Sequence, residues 1–220
     1  MKNILIAGGT DGIGLAFVKQ LNPKQYHKIF ILGRNFSQVK PLQIPNAILL
    51  TCDITDPGAA TSAIAAIDQP LDQFVNTVGT FHRAPIAKIT PNDVERHFAL
   101  NSVGNINLTN EVLKKLNGDF AEVVVCLATL ALEARQNYAL QSATKAAYRY
   151  YLEALREERK GTLKVMMVHP SSVNTGVFVK SGDMRDTSGY PSPANIAKIM
   201  QFMLTQPREV YIPDIRVNNF

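Results

Sequence analysis

Short strings of β-forming residues alternate with helical patterns along nearly the whole chain. Strands are expected at Ile4–Ala7, Ile29–Leu32, Ala47–Leu50, Phe74–Val75, Val123–Leu127, Lys164–Val168 and Val210–Ile212. Helices are expected at Ile13–Leu21, Gly58–Ile67, Asn92–Leu116, Tyr138–Arg159 and Pro193–Leu204, several opened by Pro, Ser or Asp in first-turn positions. This order predicts an α/β fold: a doubly wound parallel sheet of seven strands with helices on both faces. The stretch from Thr175 to Ser192, rich in Gly, Ser and Asp, reads as a mobile flap over a ligand, with a plain surface loop as the alternative.

A length of 220 residues suits one well-buried core, so residues 1–220 are expected to form a single domain. The 46% apolar and 19% charged composition is that of a soluble globular protein, and no stretch approaches the roughly 18 apolar residues of a membrane helix. The opening apolar run stops at glycines after four residues, too short for a signal-peptide core, so no export is expected. Cys52 and Cys126 are far apart in sequence and lack metal or redox spacing, so they read as buried free thiols, which fits a cytoplasmic location, and no metal site is expected. The net charge of +5 is scattered, and its densest cluster, Arg156 to Lys164, includes Glu157 and Glu158. That is a solvated helix end, and no nucleic-acid partner is implied.

Candidate chemistry starts after the first strand, at Gly8-Gly9-Thr10-Asp11-Gly12-Ile13-Gly14. Gly8 permits a tight strand-to-helix turn, Gly12 lets backbone approach a pyrophosphate, and Gly14 permits close helix packing. The following helix offers free N–H groups and a partial positive charge to phosphates. Strand, turn and helix arrive in order, which points to nucleotide binding.

Together these residues resemble the short-chain dehydrogenase/reductase family over nearly the entire chain. The GxxxGxG spacing of Gly8, Gly12 and Gly14 is joined by Asp53, followed by Ile54, where the family contacts adenine. Asn76-Thr-Val-Gly79 stands where the family has Asn-Asn-Ala-Gly, and Asn101 matches its helix asparagine. Lys145 matches its active-site lysine, and Pro170-Ser-Ser-Val173-Asn-Thr175 its turn at the nicotinamide. The resemblance implies a Rossmann-type fold and a nicotinamide coenzyme. Arg34 and Asn35 after the second strand replace the acidic residue of NAD-preferring enzymes, and a guanidinium suits a 2′-phosphate, so NADP(H) is favoured with NAD(H) as the alternative. Asp11 opposes this, because a carboxylate near the adenosine ribose weakens a phosphate interaction.

The family's catalytic set of Asn, Ser, Tyr and Lys carries over unevenly. Four residues before Lys145, one turn away on the same helix face, the tyrosine position is Gln141, which donates hydrogen bonds but gives up no proton at usable pH. The serine position falls at Thr129 or Ala128. The expected catalytic group is therefore Asn101, Thr129, Gln141 and Lys145. Tyr138 lies about 4.5 Å upstream along the helix axis with its side chain leaning away from Lys145, so it reads as packing more than as a substitute acid. His82, after the Asn76–Gly79 turn, is a second candidate acid against the favoured reading of a surface histidine, and Arg135 a candidate to orient an acidic substrate against the favoured reading of a solvated loop arginine.

These readings point to an NADP(H)-binding oxidoreductase of carbonyls and secondary alcohols with impaired or altered proton transfer. The alternatives are a non-redox protein on the same scaffold, either a coenzyme-dependent sensor or an isomerase or lyase, and a reductase disabled by substitution at 128 and 141. The resemblance also implies a homodimer or homotetramer formed through Asn92–Leu116 and Tyr138–Arg159. The second of these carries an apolar surplus at Tyr148, Tyr150, Tyr151, Leu152 and Leu155.

Overall fold

The computed structural model describes residues 1–220. Seven strands form one all-parallel sheet: β1 (Lys2–Ala7), β2 (Tyr26–Gly33), β3 (Ala47–Thr51), β4 (Gln73–Asn76), β5 (Ala121–Cys126), β6 (Leu163–Pro170) and β7 (Asp214–Val217). Their order is β3-β2-β1-β4-β5-β6-β7. The chain winds outward in one direction from β1 and in the other from β4, so a crevice opens at the carboxyl ends of these two neighbours, where open α/β sheets bind ligands.

Alternation along the strands divides the core between the two sheet faces. Leu5 and Ala7 of β1, with Val123 and Val125 of β5, pack under α2 (Pro57–Ala65), α4 (Asn105–Leu113) and α5 (Ala139–Glu158). Ile4, Ile6, Val124 and Cys126 point the other way, to α1 (Gly12–Gln20) and α7 (Pro193–Leu204). The central strands are thus buried on both sides, which is why they are rich in continuous apolar residues, while β3 and β7 at the edges are partly exposed.

Three expectations need correction. The last strand is not Val210–Ile212 but Asp214–Val217. Pro213, just before it, has no N–H to give, yet its carbonyl accepts from Met167 N at 2.9 Å and so opens the pairing with β6. Ile215 and Val217 of this edge strand pack on the core while Asp214 is exposed, an alternation weaker than the apolar run before it. The expected helix Asn92–Leu116 is α3 (Pro91–Phe98) and α4 joined by a π-helical segment, Ala99–Gly104. A wide turn of this kind re-aims side chains at functional sites, and it lies here at Asn101. Finally, the apolar surplus of α5 is mostly consumed internally: Tyr148, Leu152 and Leu155 are core residues, Tyr151 donates to Asn110 Oδ1 at 2.7 Å, and Tyr150 alone is well exposed.

Candidate active site

A cavity of about 530 Å³ opens over the carboxyl ends of β1, β4, β5 and β6. Its walls include Gly8, Thr10, Asp11, Gly12 and Ile13 from the first turn, Arg34 after β2, and Asp53 and Ile54 after β3. Gly79, Ala128, Thr129, Gln141, Lys145, Pro170, Val173 and Thr175 complete the deep end. Gly14, Asn35, Asn76 and Asn101 do not reach this wall, and each has a supporting task instead.

At Gly14 a Cβ would lie 2.2 Å from the Gly8 carbonyl oxygen, so only glycine lets α1 start this close to its own turn. Asn35 accepts from Ser37 N at 2.8 Å and shapes the loop after β2. Asn76, buried at the end of β4, accepts from Val78 N at 2.9 Å and donates to Asn105 Oδ1 at 2.8 Å and to the Tyr148 hydroxyl at 3.1 Å. From the π segment, Asn101 clasps the backbone of Thr80, accepting its N–H at 2.8 Å and donating to its carbonyl at 3.2 Å. Both asparagines thereby fix the turn that ends at Gly79.

Gly79 leaves room for the lysine: a Cβ there would come within 2.6 Å of Lys145 Nζ and displace the end of that side chain. The lysine is 5% exposed, and loss of hydration pushes its pKa down, with only weak electrostatic help from Cys126. It makes no hydrogen bond that would offset this. A buried ammonium without a protein acceptor fits an anionic or hydroxyl-bearing ligand at the cavity floor.

At the other end the fit to a dinucleotide is equally direct. Gly12, at φ +50, holds a conformation that L side chains rarely adopt, and its nearest neighbours, in Thr175, stand 3.7 Å from where a Cβ would be. Asp11 caps α1 by accepting from Gly12 N at 2.8 Å, leaving the N–H groups of Ile13 and Gly14 without protein acceptors. Arg34 is exposed and 3.5 Å from Asp53. The Asp53 carboxyl is held below its usual range chiefly by the Thr55 N–H, with Arg34 contributing.

One turn before Lys145, Gln141 is buried, and its Oε1 accepts from His82 N at 3.2 Å. This bond sets the orientation of the amide, so Nε2 is the end left to a ligand. Thr129 is buried at the start of a short 3₁₀ turn, Thr129–Ala131, beside Ala128. The spacing left the serine position open between these two residues, and both line the cavity.

The substitute groups fare differently. His82 does not line the cavity; its ring meets His97 edge-on at 4.8 Å, outside the deep end. Tyr138 lines it, with its hydroxyl accepting from Arg185 Nη2 at 3.2 Å. Arg135 also lines it, its guanidinium paired with Glu133. Arg185 was not singled out in the sequence. It lies 4.7 and 5.2 Å from the Phe178 and Phe81 rings and pairs with Asp183.

Both aromatic partners of that arginine explain the stretch from Thr175 to Ser192. It contains a short helix, α6 (Val177–Lys180), whose Phe178 is buried and meets Phe81 edge-on at 4.8 Å. Lys180 pairs with Asp11 across the cavity mouth. The segment is packed down over the cleft, and its polar composition hid the aromatic anchor that holds it there.

Comparison with known proteins agrees with this architecture. Residues 2–186 match the family model described as short chain dehydrogenase. An uncharacterized oxidoreductase of Staphylococcus haemolyticus is 28% identical over 97% of this chain and 95% of its own length. An NADP-dependent 3-hydroxy acid dehydrogenase of Schizosaccharomyces pombe is 24% identical over 98% and 92%. Among solved structures, an alcohol dehydrogenase from the archaeon Thermococcus sibiricus complexed with 5-hydroxy-NADP superposes with a TM-score of 0.89 at 16% identity, covering 100% of this chain and 97% of that one. The closed form of a serine dehydrogenase with NADP+ gives 0.86 at 21%, covering 98% and 94%. These likenesses show a shared fold.

Proposed function

Because the chain belongs to the short-chain dehydrogenase family, we propose that it binds NADP(H) across the crest of the sheet and acts on a carbonyl or secondary alcohol with altered proton transfer. The observation that carries this reading is Lys145, a buried cation without a protein acceptor on the floor of a cleft whose far end is a glycine turn and a helix N-terminus. When bound, the nicotinamide donates or accepts the hydride. Lys145 would hold the ribose hydroxyls, Ile13 and Gly14 would offer N–H groups to the diphosphate, and Thr175 and Val173 would border the nicotinamide end.

Proton handling is where this chain departs from its family. Gln141 Nε2 would donate a hydrogen bond to the substrate oxygen, and the Thr129 hydroxyl is the second donor within the deep end. Neither releases a proton near neutral pH. Tyr138, whose hydroxyl is bound by Arg185, stands outside the Lys145 pair, so the proton comes from water reaching the cleft. Calorimetric titration with NADPH and NADH tests the binding step directly; absence of heat with both would reject the reading.

Arg34 supports the choice of NADP(H). Its exposed guanidinium faces the adenosine end, and Lys180 neutralises the Asp11 carboxylate that would otherwise oppose a 2′-phosphate. A hydrogen bond to a charged group contributes about 1.5–3 kcal/mol. Arg34→Ser is accordingly expected to weaken NADPH binding about 10- to 100-fold while leaving NADH binding nearly unchanged; an equal loss for both coenzymes would place Arg34 away from the phosphate.

A non-redox role is the second reading, supported by Gln141 alone: an amide in place of an acid suits binding without turnover. We further propose a homodimer or homotetramer through α4 and α5, where Val103 of the adjoining π segment and Tyr150 are exposed. Sedimentation at micromolar concentration is expected to show the assembly, and a single monomer boundary would reject it. The two buried free thiols suit a reducing compartment such as the cytoplasm, and no helix is long and apolar enough to cross a membrane.

A further inference from the structure

Outside the cleft, on the far side of the loop that holds Gln141, three ligand-bearing side chains converge. His82 comes from the loop after β4, and Asp93 and His97 come from α3, where a spacing of four residues puts them on one face. One ligand atom from each lies within 4.8 Å of the others. We infer that His82, Asp93 and His97 bind one divalent cation of borderline softness, for which Zn²⁺ is the representative.

Unpartnered nitrogen atoms distinguish this cluster from an ordinary histidine pair. His97 is only 2% exposed, yet neither of its ring nitrogens has a hydrogen-bond partner, and the buried Nδ1 of His82 has none either. Buried imidazoles ordinarily satisfy at least one nitrogen, so two adjoining rings with unpaired nitrogens, one ligand atom of each within reach of Asp93, call for an occupant.

Asp93 is already oriented for such a task. Its Oδ2 accepts from Thr90 N at 3.0 Å and from the Thr90 hydroxyl at 2.7 Å, and its Oδ1 has only Arg96 at 3.6 Å. An outer contact of that kind fixes the carboxylate and leaves one oxygen for an ion. Two imidazoles and a carboxylate form a familiar zinc set, with water filling the remaining position. Tetrahedral ligands at about 2.0–2.2 Å sit about 3.3–3.6 Å apart, so binding draws the three atoms together by about an ångström. His82 is on a loop and supplies that movement. A cation here would tie the loop after β4 to α3, and His82 N–H is the donor that holds Gln141 Oε1. The inference is independent of what the cleft binds, and sequence spacing concealed it because His82 is eleven residues from Asp93.

Cobalt provides the test. Metal-stripped full-length protein is titrated with Co²⁺ and the visible absorption of the bound ion recorded, followed by displacement with Zn²⁺. One equivalent of Co²⁺ with a d–d spectrum, displaced by Zn²⁺, is expected, together with a higher melting temperature in Zn²⁺. His82→Asn and Asp93→Asn, both at partly exposed positions, should each weaken uptake at least tenfold while keeping the circular dichroism of the parent. His97→Gln should do the same if it folds, and the first two variants decide the matter if it does not. No stoichiometric uptake at micromolar Co²⁺, or uptake that survives both asparagine substitutions, would overturn the assignment and leave the space to water.

Discussion

Gln141→Tyr combined with Ala128→Ser is expected to raise NADPH-dependent reduction of a reactive carbonyl by about 10²–10⁴-fold, the range that a positioned general acid contributes. The background is prepared for it. Lys145 lies one turn away on the same face of α5, buried and with its ammonium free, so it would lower the pKa of a phenol at position 141. Asn101 and Gly79 already hold the floor of the site in place. Position 128 lies on the cavity wall beside Thr129, and a serine there would polarise the substrate oxygen. The single variants separate the contributions: if Thr129 already supplies the hydroxyl, Gln141→Tyr alone should recover most of the gain. NADPH oxidation followed by the loss of its near-ultraviolet absorbance against a panel of aldehydes and ketones measures it. A double variant that binds NADPH yet remains silent across the panel would favour the non-redox reading, because every other group of the family's reaction would then be present.

How much of this was readable in advance follows from how local each feature is. The glycine turn after β1 was legible because its glycines answer to short-range geometry: Gly12 to a positive φ, Gly14 to a carbonyl oxygen six residues back. The first six strands were legible because each carries a short run of apolar, mostly β-branched or aliphatic residues, buried on both faces in the centre of the sheet. β7 was misplaced because an edge strand buries only half its residues, so the stronger apolar run just before it drew the assignment. The π segment at Asn101 left no trace in the helical pattern, since it adds width to a turn without changing which residues are apolar. Arg185 and the His82, Asp93 and His97 cluster went unseen for a related reason: their partners are brought together by the fold across 47 and 15 residues. The place of Gln141, by contrast, could be read in advance, because helix spacing sets it one turn before Lys145 on the same face of α5.

Lys145→Met separates what the lysine does for ligand binding from what it does to the fold, and the two effects are expected to have opposite signs. The ammonium is desolvated and has no acceptor in the protein, so in the free protein it opposes folding. Methionine has similar length, no charge and an adaptable shape, so the replacement relieves the cost of an unpaired, desolvated charge where packing is retained. A rise in melting temperature is therefore expected in the absence of coenzyme. The pH dependence carries the sign. Because the folded-state pKa of Lys145 is depressed, the unfolded chain binds more protons between that value and the ordinary lysine value of about 10.4. Stability of the parent protein then climbs with pH across this window, and the gap to the variant narrows. Coenzyme affinity should move the other way, falling about 10- to 100-fold with the loss of charge-assisted hydrogen bonds. Thermal melts from neutral to alkaline pH, with and without saturating NADPH, read both effects in one series. A variant less stable than the parent at neutral pH would mean that the lysine serves the fold, and undiminished NADPH binding would remove it from the coenzyme site.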